Sequence, residues 1–182
     1  MELIRTPRLL LRHWRDGDAA AYFDLYSREE VTRWLGPQPR RALATREEAE
    51  ARLARWRANE ELLDPPYSLW AMVPLEPADA APVGTVLLLP LIEDGAATDE
   101  VEVGWHLHPD HQGAGLATEA ARAVLALCDS AGISGVLALA DLDNAASQAV
   151  ARRLGMVDEG VTDRWFGLTT RQFRRCGAAP AD

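Results

Sequence analysis

Between Glu100 and Thr118 the chain gathers residues able to handle a proton and an anion. Glu100, Glu102, Gly104, His106 and His108 share one parity, and Val101, Val103, Trp105 and Leu107 share the other. A strand sends two such sets to opposite faces, so the acids and histidines line a polar cleft or meet solvent. A carboxylate or imidazole there can take a proton from a nucleophile. Glu102 is the first candidate base, with Glu100 and His106 in reserve; the plain alternative is a solvated or ion-paired glutamate. The strand runs into Gln112-Gly113-Ala114-Gly115-Leu116-Ala117-Thr118. Gly113 and Gly115 permit positive φ and bare N–H groups. The first N–H groups of a following helix lack internal acceptors and sit at the positive end of its dipole. Together these hold a phosphate or diphosphate without lysine, unless the glycines serve only to tighten the turn. Two other phosphate loops do not fit: the dinucleotide fingerprint needs glycine where Thr118 stands, and no lysine is near for the nucleotide triphosphate loop. His106, His108 and His111 have no further ligand at zinc spacing, so no metal is expected.

The surrounding periodicity supplies the elements that position these groups. Arg8 to Trp14 reads as a strand, and Asp16 caps a helix carrying Ala19, Tyr22, Phe23 and Tyr26. A short helix is expected over Glu29 to Leu35, stopped at Gly36-Pro37-Gln38-Pro39. Thr45 and Glu48 have capping-box spacing, opening a helix with Ala49, Leu53, Trp56 and Leu63 on one stripe. Strands follow at Tyr67 to Val73, Val83 to Leu89 and Glu100 to His108, with a turn at Glu93 to Thr98. From Leu116 a long amphipathic helix runs to Gly132, and Val136 to Ala140 reads as a buried strand. Asn144 opens a helix with Ala146, Val150 and Leu154 inward and Gly155 as its stop. Met156 to Val161 and Arg164 to Phe173 read as a closing strand pair. This order makes a single α/β domain over residues 5–175, with 176–182 a flexible tail.

Gln112-Gly113-Ala114-Gly115-Leu116-Ala117 resembles the Gln/Arg-x-x-Gly-x-Gly/Ala signature of the GNAT superfamily of N-acetyltransferases. His108-Pro109-Asp110-His111, Ala117-Thr118-Glu119-Ala120 and the opening Arg5-Thr6-Pro7-Arg8-Leu9-Leu10-Leu11-Arg12 are similar to its Rim-type branch of ribosomal-protein acetyltransferases. Asn144-Ala145-Ala146-Ser147, followed by Arg153-Leu154-Gly155-Met156, resembles the family's Asn-x-x-Ser and Leu-Gly-Phe/Met segment. The resemblance spans roughly Arg5 to Phe173. It implies a mixed, mostly antiparallel sheet of about seven strands, splayed at its centre to admit acetyl-CoA, with about four helices. It places the pyrophosphate on the N–H groups of Gln112, Gly113, Ala114, Gly115, Leu116, Ala117 and Thr118. The strand end near Leu107 would bond the pantetheine arm and polarise the thioester, with a bulge at Gly104. Asn144 would touch the arm and is equally placed as a helix cap. Ser147 would steady the departing thiolate and is equally a helix-surface serine. Many relatives carry a tyrosine after the Leu-Gly segment; here the tyrosines are Tyr22, Tyr26 and Tyr67, all earlier. The implied activity is direct acetyl transfer from acetyl-CoA to a primary amine, on a protein N-terminus or a small molecule, in a ternary complex. The alternative is a module of the same fold that senses an acyl-CoA without turnover.

Composition limits the other classes. The 182 residues are 48% hydrophobic and carry a net charge of -9, which supports a core and opposes binding to a phosphate backbone. With no apolar run of spanning length, no membrane partner is expected, and two cysteines are too few for a disulfide scaffold. A cytoplasmic enzyme is the resulting expectation, with homodimerisation through the closing strands left open. Acceptor specificity is expected from the segment between Arg28 and Arg46 and from the final strands; Arg40 and Arg41 read as a solvated charged loop, with contact to an acidic acceptor as the alternative.

Overall fold

The computed structural model describes residues 3–36, 39–60, 62–93 and 95–175. Strands β1 (Ile4–Arg5), β2 (Leu9–His13), β3 (Ser68–Pro74), β4 (Gly84–Glu93), β5 (Ala96–Leu107), β6 (Leu137–Asp141), β7 (Val157–Thr162) and β8 (Thr170–Arg174) form one sheet. Their order across the eight-stranded sheet is β1-β2-β3-β4-β5-β6-β8-β7. Neighbours are antiparallel except β5 and β6, which are parallel and paired only at Glu102 opposite Leu137. The strand beyond the expected seven is β1, which extends the edge by setting Ile4 against Leu11. The helices are α1 (Ala19–Tyr26), α2 (Glu29–Thr32), α3 (Arg46–Glu60), α4 (Leu116–Ser130) and α5 (Ala145–Arg153). No described helix is long and apolar enough to cross a membrane.

Strand alternation gives the sheet two apolar faces, and each is covered. Leu9, Leu11, Trp70, Met72, Val86, Leu88, Val101 and Val103 pack under Ala120, Ala121, Val124, Leu125 and Cys128 of α4. On the other face Ala71 meets Tyr22, Leu25 and Tyr26 of α1 and Ala49 and Leu53 of α3, with Trp14 beside them. A fully buried leucine or valine contributes about 1.5–3 kcal/mol, so these two layers hold the strands of the site in place. Helix ends follow the local signals. At the α4 terminus Gly132 has φ +70°, and Ile133 donates to the Cys128 carbonyl at 2.9 Å, closing the last turn. Burial pushes the Cys128 thiol up to about 11, so it behaves as a small hydrophobe.

Several sequence expectations need correction. Leu63 lies beyond the end of α3, and α2 stops at Thr32 rather than Leu35. The turn expected over Glu93 to Thr98 is mostly strand, because β4 and β5 continue to a tight hairpin with Glu93 opposite Ala96. Gly104 holds no bulge: it sits in regular register opposite Leu87, and the irregularity lies at Pro90 to Ile92. The Leu87 side chain lies over Gly104, where a Cβ would come within 3.1 Å of its Cγ. In α5 Ala146 is exposed, whereas Gln148 is buried and donates to the carbonyls of Asp141 and Leu142 at 3.2 and 2.9 Å. A polar side chain is needed there because the helix starts against the frayed end of β6. The last strand begins only at Thr170, since Phe166 and Gly167 at φ +57° and +65° break the extended run. The expected tail, 176–182, lies outside the described residues.

Gly84 has the closest approach in the sheet: a Cβ there would sit 2.4 Å from the main-chain oxygen of His106. A main-chain clash cannot be relieved by rotating a side chain. Gly84→Ala is expected to cost about 3 kcal/mol, the upper end of overpacking effects, read as a lowered urea midpoint with m unchanged.

Candidate active site

The loop between β5 and α4 is a row of unsatisfied donors. His108 to His111 forms one tight turn, and the Gln112 side chain then folds back to donate to the Leu107 carbonyl at 3.1 Å. Gly113 and Gly115 follow at φ +79° and +80°, a conformation that costs other residues roughly 1–2 kcal/mol. Among the described residues no acceptor meets the main-chain N–H groups of Gly113 to Thr118; the first helical bond is Glu119 N–H to the Gly115 carbonyl, 3.0 Å. The Thr118 hydroxyl is also buried without a partner. Consecutive free amides at the positive end of a helix fit an anion of diphosphate size.

Tertiary structure brings a cation that the linear motif lacks. Arg8 donates from Nη1 to the Ala114 carbonyl at 2.8 Å and from Nε to Glu119 at 2.6 Å. The Arg8 N–H and the Thr6 hydroxyl also donate to Glu119, at 2.9 and 2.6 Å. Burial alone would raise the Glu119 carboxyl, but the bonds from Thr6 and Arg8 outweigh it and hold it below the ordinary value. Thr6-Pro7-Arg8 and Thr118-Glu119, more than a hundred residues apart, are therefore two halves of one latch on the loop. Neither carries a local signal of that meeting.

The main chain beside this loop is open apart from the Leu107 carbonyl, which the Gln112 side chain meets. His108 donates to Val83 at 2.8 Å, so by strand alternation the main-chain groups of Trp105 and Leu107 point away from β4. They face the gap where β6 has left β5, beyond the Glu102–Leu137 rung. Across that gap, the Asn144 side chain accepts the Ser147 N–H at 3.0 Å, as a helix cap should, while no described group bonds the Ser147 hydroxyl. Arg40, expected in a solvated loop, is mostly buried and pairs at 2.8 Å with Asp141, the last residue of β6. That pair ties the segment after α2 to the rim of the gap.

The three candidate bases part company. Glu102 is half-buried, no described residue donates to it, and burial pushes its carboxyl up to about 7. Glu100 is engaged by Arg174 at 3.0 and 3.2 Å and is not a free base. His106 Nδ1 lies 2.9 Å from the Tyr26 hydroxyl, itself 2.8 Å from Thr85. Burial, aided by the charge of Arg52, lowers His106 to about 4, so the ring is neutral at pH 7. Tyr26 is the one tyrosine brought to this strand, but burial raises its hydroxyl above the ordinary range. The histidines diverge: His108 faces Asp24 at 3.3 Å and stacks edge-on with His111, away from His106. No described cluster of three His, Cys, Asp or Glu side chains is placed to hold a metal ion.

The site therefore combines a splayed mixed sheet with a row of free amides at the start of α4, and comparison with known proteins places that arrangement in a family. The family model of the acetyltransferase (GNAT) domain matches residues 8–157. The uncharacterised N-acetyltransferase YoaA of Bacillus subtilis is 28% identical over 166 residues, covering 90% of this chain and 88% of that protein. Among solved structures, a GNAT-family acetyltransferase from Bacillus anthracis superposes with a TM-score of 0.76 at 18% identity, covering 96% of this chain and 98% of that one. RimL, a ribosomal L7/L12 alpha-N-protein acetyltransferase solved with coenzyme A, gives 0.75 at 18% identity, covering 97% and 98%. The chain belongs to the GNAT acetyltransferases, and it is an enzyme of the N-acetyltransferase class.

The cap at Asn144 can be measured apart from any ligand. Asn144→Ala should lower unfolding free energy by about 1 kcal/mol, and Asn144→Asp, which keeps an acceptor, should restore most of it in urea denaturation.

Proposed function

We propose that this enzyme uses acetyl-CoA and transfers its acetyl group directly to a primary amine, in a ternary complex without a covalent enzyme intermediate. The observation that carries the reading is the run of unsatisfied N–H groups from Gly113 to Thr118 at the start of α4. With the Arg8 latch, these would hold the pyrophosphate, while Gln112, whose own N–H already donates to the Pro109 carbonyl at 3.1 Å, would brace the loop; Leu107 and Asn144 would hold the arm in the gap between β5 and β6. RimL, which shares the fold and was solved with coenzyme A, supports coenzyme A as the ligand, and its description as an alpha-N-protein acetyltransferase supports a protein N-terminus or a small-molecule amine as acceptor.

When bound, acetyl-CoA supplies the thioester carbonyl as electrophile. The chain's own part begins with the proton. A primary amine is largely protonated at pH 7 and becomes a nucleophile only when it loses that proton. Glu102 takes it: raised to about 7, its carboxyl is poised between holding and releasing a proton. The Ser147 hydroxyl, with no competing partner among the described residues, would donate to the departing thiolate. Tyr26 is not the acid, because Thr85 and His106 occupy its hydroxyl.

Coenzyme A should bind the wild type in calorimetry. Gly115→Ala, strained at φ +80°, should bind at least about tenfold more weakly; no affinity in the wild type overturns the reading. Glu102→Gln should keep coenzyme A affinity while lowering kcat by about 10²–10⁴-fold. In the wild type kcat/KM should rise with pH and level off above about 7, and the variant should lose that inflection. The same group predicts stability. Its folded value lies above the ordinary 4.5, so the folded state holds a proton the unfolded chain has released, and stability falls as pH rises from there through about 7. Glu102→Gln should remove that fall, an effect of about 3 kcal/mol. Ser147→Ala should lower kcat by about tenfold with acceptor KM unchanged, as expected of a contact made only in the transition state.

A further inference from the structure

The face of the sheet that carries Glu102 and His106 also holds a cavity, roofed by α1 and α3. Its volume is about 40 Å³, room for roughly three waters or the end of a short side chain. Trp14, Tyr22, Tyr26 and Trp56 form its walls, and His106 lines it from β5. Three charged residues line it as well. Arg57 is taken by Asp16, and Glu60 by His13, Ser68 and the Leu69 N–H. Arg52 is different. It is half-buried, its guanidinium lies 5.1 Å from the centre of the Tyr26 ring, and no described carboxylate meets it. Its field reaches inward: it opposes burial at Tyr22 and Tyr26, pulling their hydroxyls down, and adds to burial at His106, where it disfavours the imidazolium. A second feature points the same way. Trp14 is 5% exposed, and its indole N–H is buried without an acceptor.

The cavity is thus lined by an uncompensated cation, by a buried tryptophan whose indole N–H has no acceptor, and by further aromatic walls, inside a protein of net charge -9. A planar carboxylate answers both polar groups: it pairs with a guanidinium and accepts from an indole N–H. A second cation would face Arg52, and a purely apolar group would leave the indole N–H unpaired. We propose that this cavity receives a carboxylate carried by the acceptor, so that the enzyme acts on amines bearing an acidic group. The word acceptor rests on the transferase reading above; the carboxylate site does not.

Butyrate and butyramide, titrated at millimolar concentration into the ¹⁵N-labelled full chain, test the site without turnover. The Trp14 indole N–H signal, assigned through Trp14→Phe, should shift saturably with butyrate and at least tenfold more weakly with butyramide. Arg52→Gln should abolish that preference and Arg52→Lys should keep part of it, with the remaining spectrum reporting an intact fold. Equal responses to the two probes, or a preference indifferent to Arg52, overturn the proposal. Thiol release from acetyl-CoA with 4-aminobutyrate against 4-aminobutyramide then tests the acceptor. The carboxylate should be favoured at least tenfold in kcat/KM, and Arg52→Gln should erase the difference. Butyrate binding with no thiol release from any amine would overturn the transferase reading and leave the carboxylate site standing. Thiol release with a selectivity that Arg52→Gln does not change would do the reverse.

Discussion

Beyond the rung between Glu102 and Leu137, β5 and β6 part, and the rest of the site depends on that divergence. A strand that loses its neighbour leaves main-chain donors and acceptors that must be met by something else. Here the consequence is a slot lined by the main chain of Trp105 and Leu107, ending at an amide cradle. Only a partner that is itself extended and polar can run along such a slot. The sheet therefore needs two firm halves to hold the gap open. One is packed between α1, α3 and α4, and the other is closed by the β6-β8-β7 pairing and by α5.

The gap also sets the electrostatics around it. Glu102 has β4 on one side and the rung to β6 on the other, so its carboxylate is short of water and has no cation to offset that loss. Two residues earlier on the same face, Glu100 has Arg174, and the two acids diverge in role for that reason alone. The loop shows the opposite economy. Glu119 sits beside the row of free amides, and Arg8 and Thr6 neutralise its carboxylate there. Arg40 and Asp141 make a third such pair, at the far rim of the slot. In an acidic protein, where each arginine goes decides what the site can bind.

Much of this was legible in residue order. Period-2 alternation in β5, the capping Asn144, the stop at Gly132 and the two left-handed glycines are local signals, decided within a few residues of chain. So were the splayed sheet and the cradle, once the Gln112 to Ala117 pattern was recognised. Two of the errors fell where a distant neighbour overrode the expectation. Gly104 has the composition of a bulge, but Leu87 needs its empty space. Ala146 is apolar and points outward, because the end of β6 calls for the amide of Gln148 instead.

Sequence by itself determined the element types, the family pattern, the glycine loop that opens α4 and a polar strand face leading to it. Those follow from periodicity and from the conformational needs of glycine, which act over one or two turns of chain. Only the tertiary structure decided which acid is left unpaired, which arginine stands on the loop, which tyrosine reaches β5 and that Arg52 overlooks an aromatic cavity. Each depends on contacts between residues far apart in the chain. Coulomb and desolvation energies follow distance in space, to which residue order is blind.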